Sequence, residues 1–440
     1  MAGNVPNYLK SLVGPETGFQ FDEDPESSAF TKTGYYTSTP HIDCRYLIKP
    51  QTAMNDYGNQ IAVIRVEKDH DFAGLSELVI PFKPISSTGT YTYLRRSDWL
   101  GFAVIKEIHI KHNTHTLQSW QGDIMFPHYI LESTQESRSH WDHQILGGLS
   151  TVQREQLASA SCVARVPLEL FAFWSKNTHH YMNTQSFSDE IKIYVHFHDK
   201  SEWVQTDSNG TVTAEIGTVS INGEIFDVGL YLQQHHVTEA ERVFHHQKQL
   251  NVGTLEPFVD YVNVGHAAVN PLQSNFFQVE LKNLNMPVRH LCFVIRRAND
   301  LTTAYRKNHF RFYKILGFGM TAQASGGEFV PYTSAKYARA RIHDQYHSSH
   351  ADNRYPIYFW SWTFTPEDHI NELGCLHFGN INSPFLNVYI GTTDYTSEAR
   401  DLSQGKYPGS TGAESLVVDV FAQAFNMKQD FGGTPRKIFG

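Results

Sequence analysis

The stretch Ile225–Gln247, IFDVGLYLQQHHVTEAERVFHHQ, decides how the chain divides. It opens with strand periodicity: Phe226, Val228, Leu230 and Leu232 fall on one face, and Asp227, Gly229 and Tyr231 on the other. Then the period changes. Thr238 and Glu241 have the spacing of a capping box, and Ala240, Val243 and Phe244 form an apolar stripe at helical spacing behind them. Roughly two hundred residues of similar texture lie on each side. The expected organisation is an N-terminal arm at 1–57, a first β domain at 58–236, a linking helix at 237–247 and a second β domain at 248–440.

Outward from this junction the chain is a succession of short alternating runs. In the first half they are Ile61–Glu67, Leu78–Phe82, Val104–His112, Val166–Trp174 and Ile191–His198. The last is the cleanest: Ile191, Ile193, Val195 and Phe197 share one face, against Lys192, Tyr194, His196 and His198. The second half repeats the texture at Phe277–Leu281, Leu291–Ile295, Ile357–Phe364, Phe385–Ile390 and Leu416–Phe421. Ser133–Gly148 is polar and reads as loop or helix, and Ser325–Gly327 and Gly405–Gly412 as exposed loops. The halves share no strict sequence repeat. Regular strands without βα alternation predict an all-β fold of two tandem antiparallel eight-stranded jelly-roll sandwiches, with long loops and a few short helices.

The arm is punctuated by Pro6, Pro15, Pro25, Pro40 and Pro50 and carries the acidic run Asp22-Glu23-Asp24. It reads equally as a flexible tail or as a segment ordered by neighbouring subunits. With 440 residues the chain exceeds one comfortable core, and 18% charged with 40% hydrophobic residues excludes overall disorder. The net charge of −9 is dispersed, which argues against a protein that wraps nucleic acid. Cys44, Cys162, Cys292 and Cys375 form no CxxC pair and are expected to be reduced thiols. The N-terminus lacks the apolar core of a signal peptide, and no run approaches the roughly 18 apolar residues of a membrane span. A soluble protein made in the cytosol is expected, and the sequon Asn209-Gly-Thr211 reads as chance.

Chemistry is sparse. His196, His198 and Glu202 have an HxHxxxE spacing that could serve a metal ion, as in a bicupin-like metal-dependent oxygenase. No glycine precedes His196 at the expected place and no second such motif follows, so histidines on the exposed face of a strand are the simpler account. His235-His236 and His245-His246 flank the junction, where protonation near pH 6 could loosen packing or a subunit contact. HExxH, P-loop, GxSxG and GxGxxG patterns are absent. No catalytic residue and no cofactor is expected. A carbohydrate-binding sandwich has only the aromatic content behind it.

The most specific stretch is Ile357–Asn382, IYFWSWTFTPEDHINELGCLHFGNIN. An aromatic-rich strand leads to Pro366, Glu367, Asp368 and His369, and then to Gly374, Cys375, Phe378 and Ile381. Pro366 would stop ladder pairing, and Gly374 would permit the conformation that re-enters the sheet. This resembles the signature strand–turn–strand of major capsid proteins of nucleocytoplasmic large DNA viruses, with one extra residue before Gly374 and without the family's Pro-Ser there. Other stretches follow in the family's order. They are Asp71–Leu75 with Ile80-Pro81, Gly101–His112, Trp120–Asp123, Trp141–Gly147, Val166–Trp174 with Asp189–Ile193, Glu239–Arg242, and Met286–Arg297.

The resemblance implies a double jelly roll and a structural protein, not an enzyme. In that family three copies form a pseudo-hexameric capsomer that tiles an icosahedral shell around a double-stranded DNA genome. The implied partners are the chain itself, neighbouring capsomers, and minor capsid and penton proteins. No direct nucleic-acid contact is implied, and an inner viral membrane would lie close without being spanned. The implied location is the virion capsid, assembled in the host cytoplasm. A minor capsid or scaffolding protein of the same fold is the alternative within the family.

Overall fold

The computed structural model describes residues 42–51, 60–89, 91–133, 135–168, 182–185, 187–207, 211–213, 219–221, 224–239, 242–243, 247, 254–269, 276–282, 284, 286–302, 307–323, 326–338, 340, 355–363, 374–390, 415–431 and 433–437. In the first half the principal strands are β1 (Ile42–Ile48), β2 (Ile61–Val66), β3 (Phe72–Phe82), β4 (Ile105–His112), β5 (His115–Gln121), β6 (Cys162–Pro167), β7 (Ile191–Phe197) and β8 (Gly229–His236). They form two antiparallel sheets in the orders β1-β8-β3-β6 and β2-β7-β4-β5. In the second half they are β9 (Thr254–Val269), β10 (Phe276–Glu280), β11 (Pro287–Arg297), β12 (Gly317–Ala322), β13 (Glu328–Ser334), β14 (Tyr358–Ser361), β15 (Pro384–Tyr389) and β16 (Leu416–Phe431). Their sheets run β9-β16-β11-β14 and β10-β15-β12-β13. The second pair of orders is the first shifted by eight strands. Both halves are jelly rolls, and the duplication lies in topology alone.

Alternation explains most strands. In β7, Ile191, Ile193, Val195 and Phe197 enter the core while Lys192, Tyr194 and His196 stay half-exposed. Two central strands of the second half depart from this because both their faces are buried. Leu416, Val418, Val420, Ala422 and Ala424 of β16 line the second sandwich's own core. Phe421 and Phe425, on the opposite face, join the first sandwich's core. β11 is divided in the same way, with Leu291, Phe293 and Ile295 inward and Cys292 and Val294 toward the first sandwich. The sequence pattern located β16 only as Leu416–Phe421; the strand continues to Phe431 because β9 pairs along all of it.

Part of the segment read as an arm is a strand. β1 pairs antiparallel with β8 from Ile42↔His236 to Ile48↔Leu230. The run read as one strand from Phe226 is broken: Glu224–Phe226 pairs with Val219–Ile221, and β8 starts afresh at Gly229. A side chain at Gly229 would collide with Leu47 across the ladder. At the exit of β8, Asp71 accepts from the Val237 amide at 2.8 Å and pairs with the Arg242 guanidinium at 2.6 Å. The Arg242 amide bonds Thr238 O at 2.9 Å. Glu241, Ala240 and Phe244 of the expected capping box and stripe lie outside the described residues, as do His245 and His246.

Among the described residues of the first half, four α-helices gather: α1 (Leu100–Ala103), α2 (Gly122–Glu132), α3 (Gln135–Ile145) and α4 (Thr151–Ser159). The polar section expected as loop or helix is therefore largely α3. α4 starts at a capping box, with Ser150 and Gln153 bonding each other's backbone amides. The run Ile124–Leu131 is almost wholly buried, so α2 has no polar face. Pro127 sits within it at the sixth helical position, where it lacks the N–H that would bond the Asp123 carbonyl. A fifth, short helix, α5 (Ala298–Thr302), follows β11. Among the described residues no helix is long and apolar enough to cross a membrane.

Candidate functional site

The place where distant parts of the chain converge is the seam between the sandwiches. α2 leaves β5 directly and lies on the outer face of sheet β9-β16-β11-β14. Gly122 is required at this corner, because a Cβ there would overlap the Ile105 carbonyl. The centre is aromatic. Phe126 of α2 meets Phe310, Tyr355 and Phe312 at ring distances of 4.7, 4.9 and 5.9 Å. Trp99 lies tilted against Phe126 at 4.8 Å, and its Nε1 donates to the Tyr355 hydroxyl at 2.7 Å. Each such aromatic pair contributes about 0.5–1.5 kcal/mol beyond its area burial.

Polar networks flank this centre. On one side Tyr261 of β9 sits between Trp120 (4.8 Å) and His128 (4.4 Å) and donates to Glu132 Oε1 at 3.1 Å. Gln423 Nε2 reaches the Tyr261 hydroxyl at 2.6 Å and Glu132 Oε1 at 3.1 Å. On the other side Arg296 of β11 bridges Asp123 of α2, at 3.0 Å, and Asp419 of β16, whose Oδ2 accepts from Nε at 3.0 Å. His309 lies between two carboxylates of the first sandwich, 3.3 Å from Asp123 and 3.1 Å from Glu202. Lys307 pairs with Glu202 as well. His198 stacks on the His309 ring at 5.0 Å.

These contacts set the protonation states. Burial alone would raise the Asp123 carboxyl, but Arg296 and then His309 hold it far below the usual carboxylate range. Glu202 likewise opposes its burial through His309 and Lys307, and falls to about 2. Burial lowers His309, yet its bonds to Asp123 and Glu202 outweigh that and raise it. His198 is lowered to about 4, by burial first and then by the neighbouring His309 charge. The arrangement is a chain of paired charges across the seam, with His198 held neutral beside it.

The residues singled out by sequence are distributed differently. Glu202 and His198 converge on His309, while His196 lies against His109 at 5.2 Å and pairs across the ladder with Glu107. Glu202 is committed to Lys307 and His309. Among the described residues no group of three or more His, Cys, Asp or Glu is disposed to hold a metal ion. Pro366, Glu367, Asp368 and His369 lie outside the described residues. Gly374 has φ +125°, and a Cβ there would meet the Trp362 carbonyl. Cys375 is exposed, and the next residues, Leu376–His377, pair with the start of β11. Sequence reading missed Asp123, Arg296, His309 and Asp419. Only the apolar run of α2, abutting an acidic residue, hinted at them.

No protein-family model matches the chain, and no curated protein matches it in sequence. Solved structures do match it in fold. The PBCV-1 virus capsid model is 13% identical, with a TM-score of 0.65 over 94% of this chain and 100% of that one. The Faustovirus major capsid protein is 11% identical, with a TM-score of 0.63 over 96% of each chain. The mavirus major capsid protein is 11% identical, with a TM-score of 0.55 over 97% of this chain and 95% of its own. The likeness spans both sandwiches and the seam between them.

Proposed function

We propose that the chain is the major capsid protein of a large double-stranded DNA virus, three copies of which form a pseudo-hexameric capsomer that tiles an icosahedral shell. The observation that carries this reading is the repeated strand order, β1-β8-β3-β6 with β2-β7-β4-β5 and again eight strands later, in one chain. The near-complete coverage of viral capsid chains supports it. Two similar sandwiches locked side by side give each copy two of six corners in a ring of three. The domains of this reading are the two sandwiches, the first including β1, with residues 237–247 linking them. Neighbouring capsomers, minor capsid proteins and penton proteins are the partners, in the virion capsid assembled in the host cytoplasm. A dispersed net charge of −9 suits a shell that does not itself hold the genome, with an inner membrane close by.

Light scattering on the purified protein tests this. A species of about 151 kDa, three times 50.2 kDa, is expected. A folded species that stays at 50.2 kDa at all concentrations counts against the capsomer. Stoichiometric iron, manganese or zinc in the same sample would favour the oxygenase built on His196, His198 and Glu202 instead.

A further inference from the structure

Because the sandwiches share one strand order, each surface of the first has a counterpart on the second. Within the chain the contact is head-to-tail. The helix that follows β5 packs on the outer face of β9-β16-β11-β14. Its counterparts are the helix that follows β13, at residues 335–338 and 340, and the outer face of β1-β8-β3-β6. We infer that these two surfaces meet between copies, the helix after β13 of one chain docking on the β1-β8-β3-β6 face of the next. This deepens the capsomer reading and rests on it.

The side chains fit such a contact. Around the second helix large apolar groups face solvent: Leu316 is 48% exposed, Tyr332 52% and Tyr337 55%. Tyr332 stands edge-on to Tyr389 at 5.1 Å, and Tyr389 meets Phe276 at 4.9 Å, so the patch crosses the sheet. On the receiving face Leu47, Val163 and Tyr231 are half-buried. Arg165 lies over the Tyr231 ring at 5.1 Å and 3.6 Å from Glu77. Leu78, Ile80 and Phe82 of β3 point into the core, which places Glu77 on the outer side.

Charge supplies the polarity of the contact. Inside the chain the second residue of the helix is Asp123, and it meets Arg296 on the third strand of the receiving sandwich. In the counterpart the second helical residue is Lys336, which is exposed, and the third strand carries Glu77. The helix sign is reversed, and Glu77, which stands four positions short of the place of Arg296 and beside Arg165, is an acidic group on the outer side of that strand. Lys336 brought to the wrong face would confront Arg296, so each helix is directed to its own sheet. A head-to-tail contact of this kind closes into a ring or runs on as a filament, which the measured mass distinguishes.

The test uses the full chain with Lys336→Glu, Glu77→Lys and the pair combined, each followed by sedimentation across a concentration series. Each single reversal is expected to raise the concentration of half-assembly by about tenfold or more, and the combined exchange to return it to within about threefold of the parent. Tyr337→Ser, at a side chain 55% exposed, is expected to weaken assembly without changing the unfolding midpoint of the monomer. Single reversals that assemble like the parent, or a combined variant no better than the worse single one, overturn this surface while a parental trimer keeps the capsomer. A parent that never assembles removes both.

Discussion

Trp99 and Tyr355, 256 positions apart, are joined by a 2.7 Å hydrogen bond from the indole Nε1 to the phenolic oxygen. Trp99 adopts φ +53°, in the left-handed region, and is fully buried. Its ring lies flat over Gly147, where a Cβ would fall inside the indole. One side chain therefore ties a loop of the first sandwich to the edge of the second. Tyr355→Phe, which leaves a buried N–H without its acceptor, is expected to cost about 1–3 kcal/mol in urea unfolding. Gly147→Ala should cost at least as much, since neither ring nor backbone has room to retreat.

The Asp123–Arg296 pair tests the seam directly. Asp123→Asn removes the charge that Arg296 and His309 share, while Asp419 and Glu202 remain as their partners. A broken buried pair costs about 3–5 kcal/mol. Because 31% of the Asp123 side chain stays accessible, a loss of about 2–3 kcal/mol is expected. A change in the unfolding midpoint smaller than that of an exposed control such as Glu280→Gln would contradict the role given to this pair.

Stability should fall on both sides of neutrality. Folded His198 takes its proton near pH 4 rather than 6.5, so the unfolded chain binds more protons between these values and stability declines as pH falls through them. Glu202, at about 2 rather than 4.5, adds a second decline from pH 4.5 downward. His309 is raised, so its contribution is complete below pH 6.5 and fades as pH rises through its folded value. His198→Phe is expected to flatten the urea midpoint between pH 6.5 and 4 and to leave the lower decline in place. An unchanged slope between those values would refute the assignment.

At the corner where β5 becomes α2, Gly122→Ala drives a methyl group against the Ile105 carbonyl, which is backbone and cannot rotate away. A loss of about 1–3 kcal/mol is expected, together with weakened assembly, since α2 carries the seam. Gly327→Ala, with nothing within 4 Å of its Cβ and no left-handed φ, should change stability by less than about 1 kcal/mol in either direction.

Local pattern exposed the strands but not their partners. β7 was legible because one face is core and the other half-exposed. β1 was hidden between Pro40 and Pro50, which made its surroundings read as an arm. α2 was missed because a helix buried on every side loses the polar stripe that marks it, and Pro127 argues against a helix.

Taken alone, then, the sequence determined the number of domains, their all-β character and the jelly-roll expectation, because period-two burial is written residue by residue. The tertiary structure alone decided the seam. Asp123, Glu202, Arg296, His309 and Asp419 come from two helical turns, a loop and two strands far apart in the chain, and no local spacing relates them. It also decided which sheet face is buried twice: in β16 the same alternation serves two cores, and only packing tells Phe421 from Val420. Alternation depends on neighbours along the chain, whereas Coulomb pairing and ring contact depend on distance in space, which the fold sets.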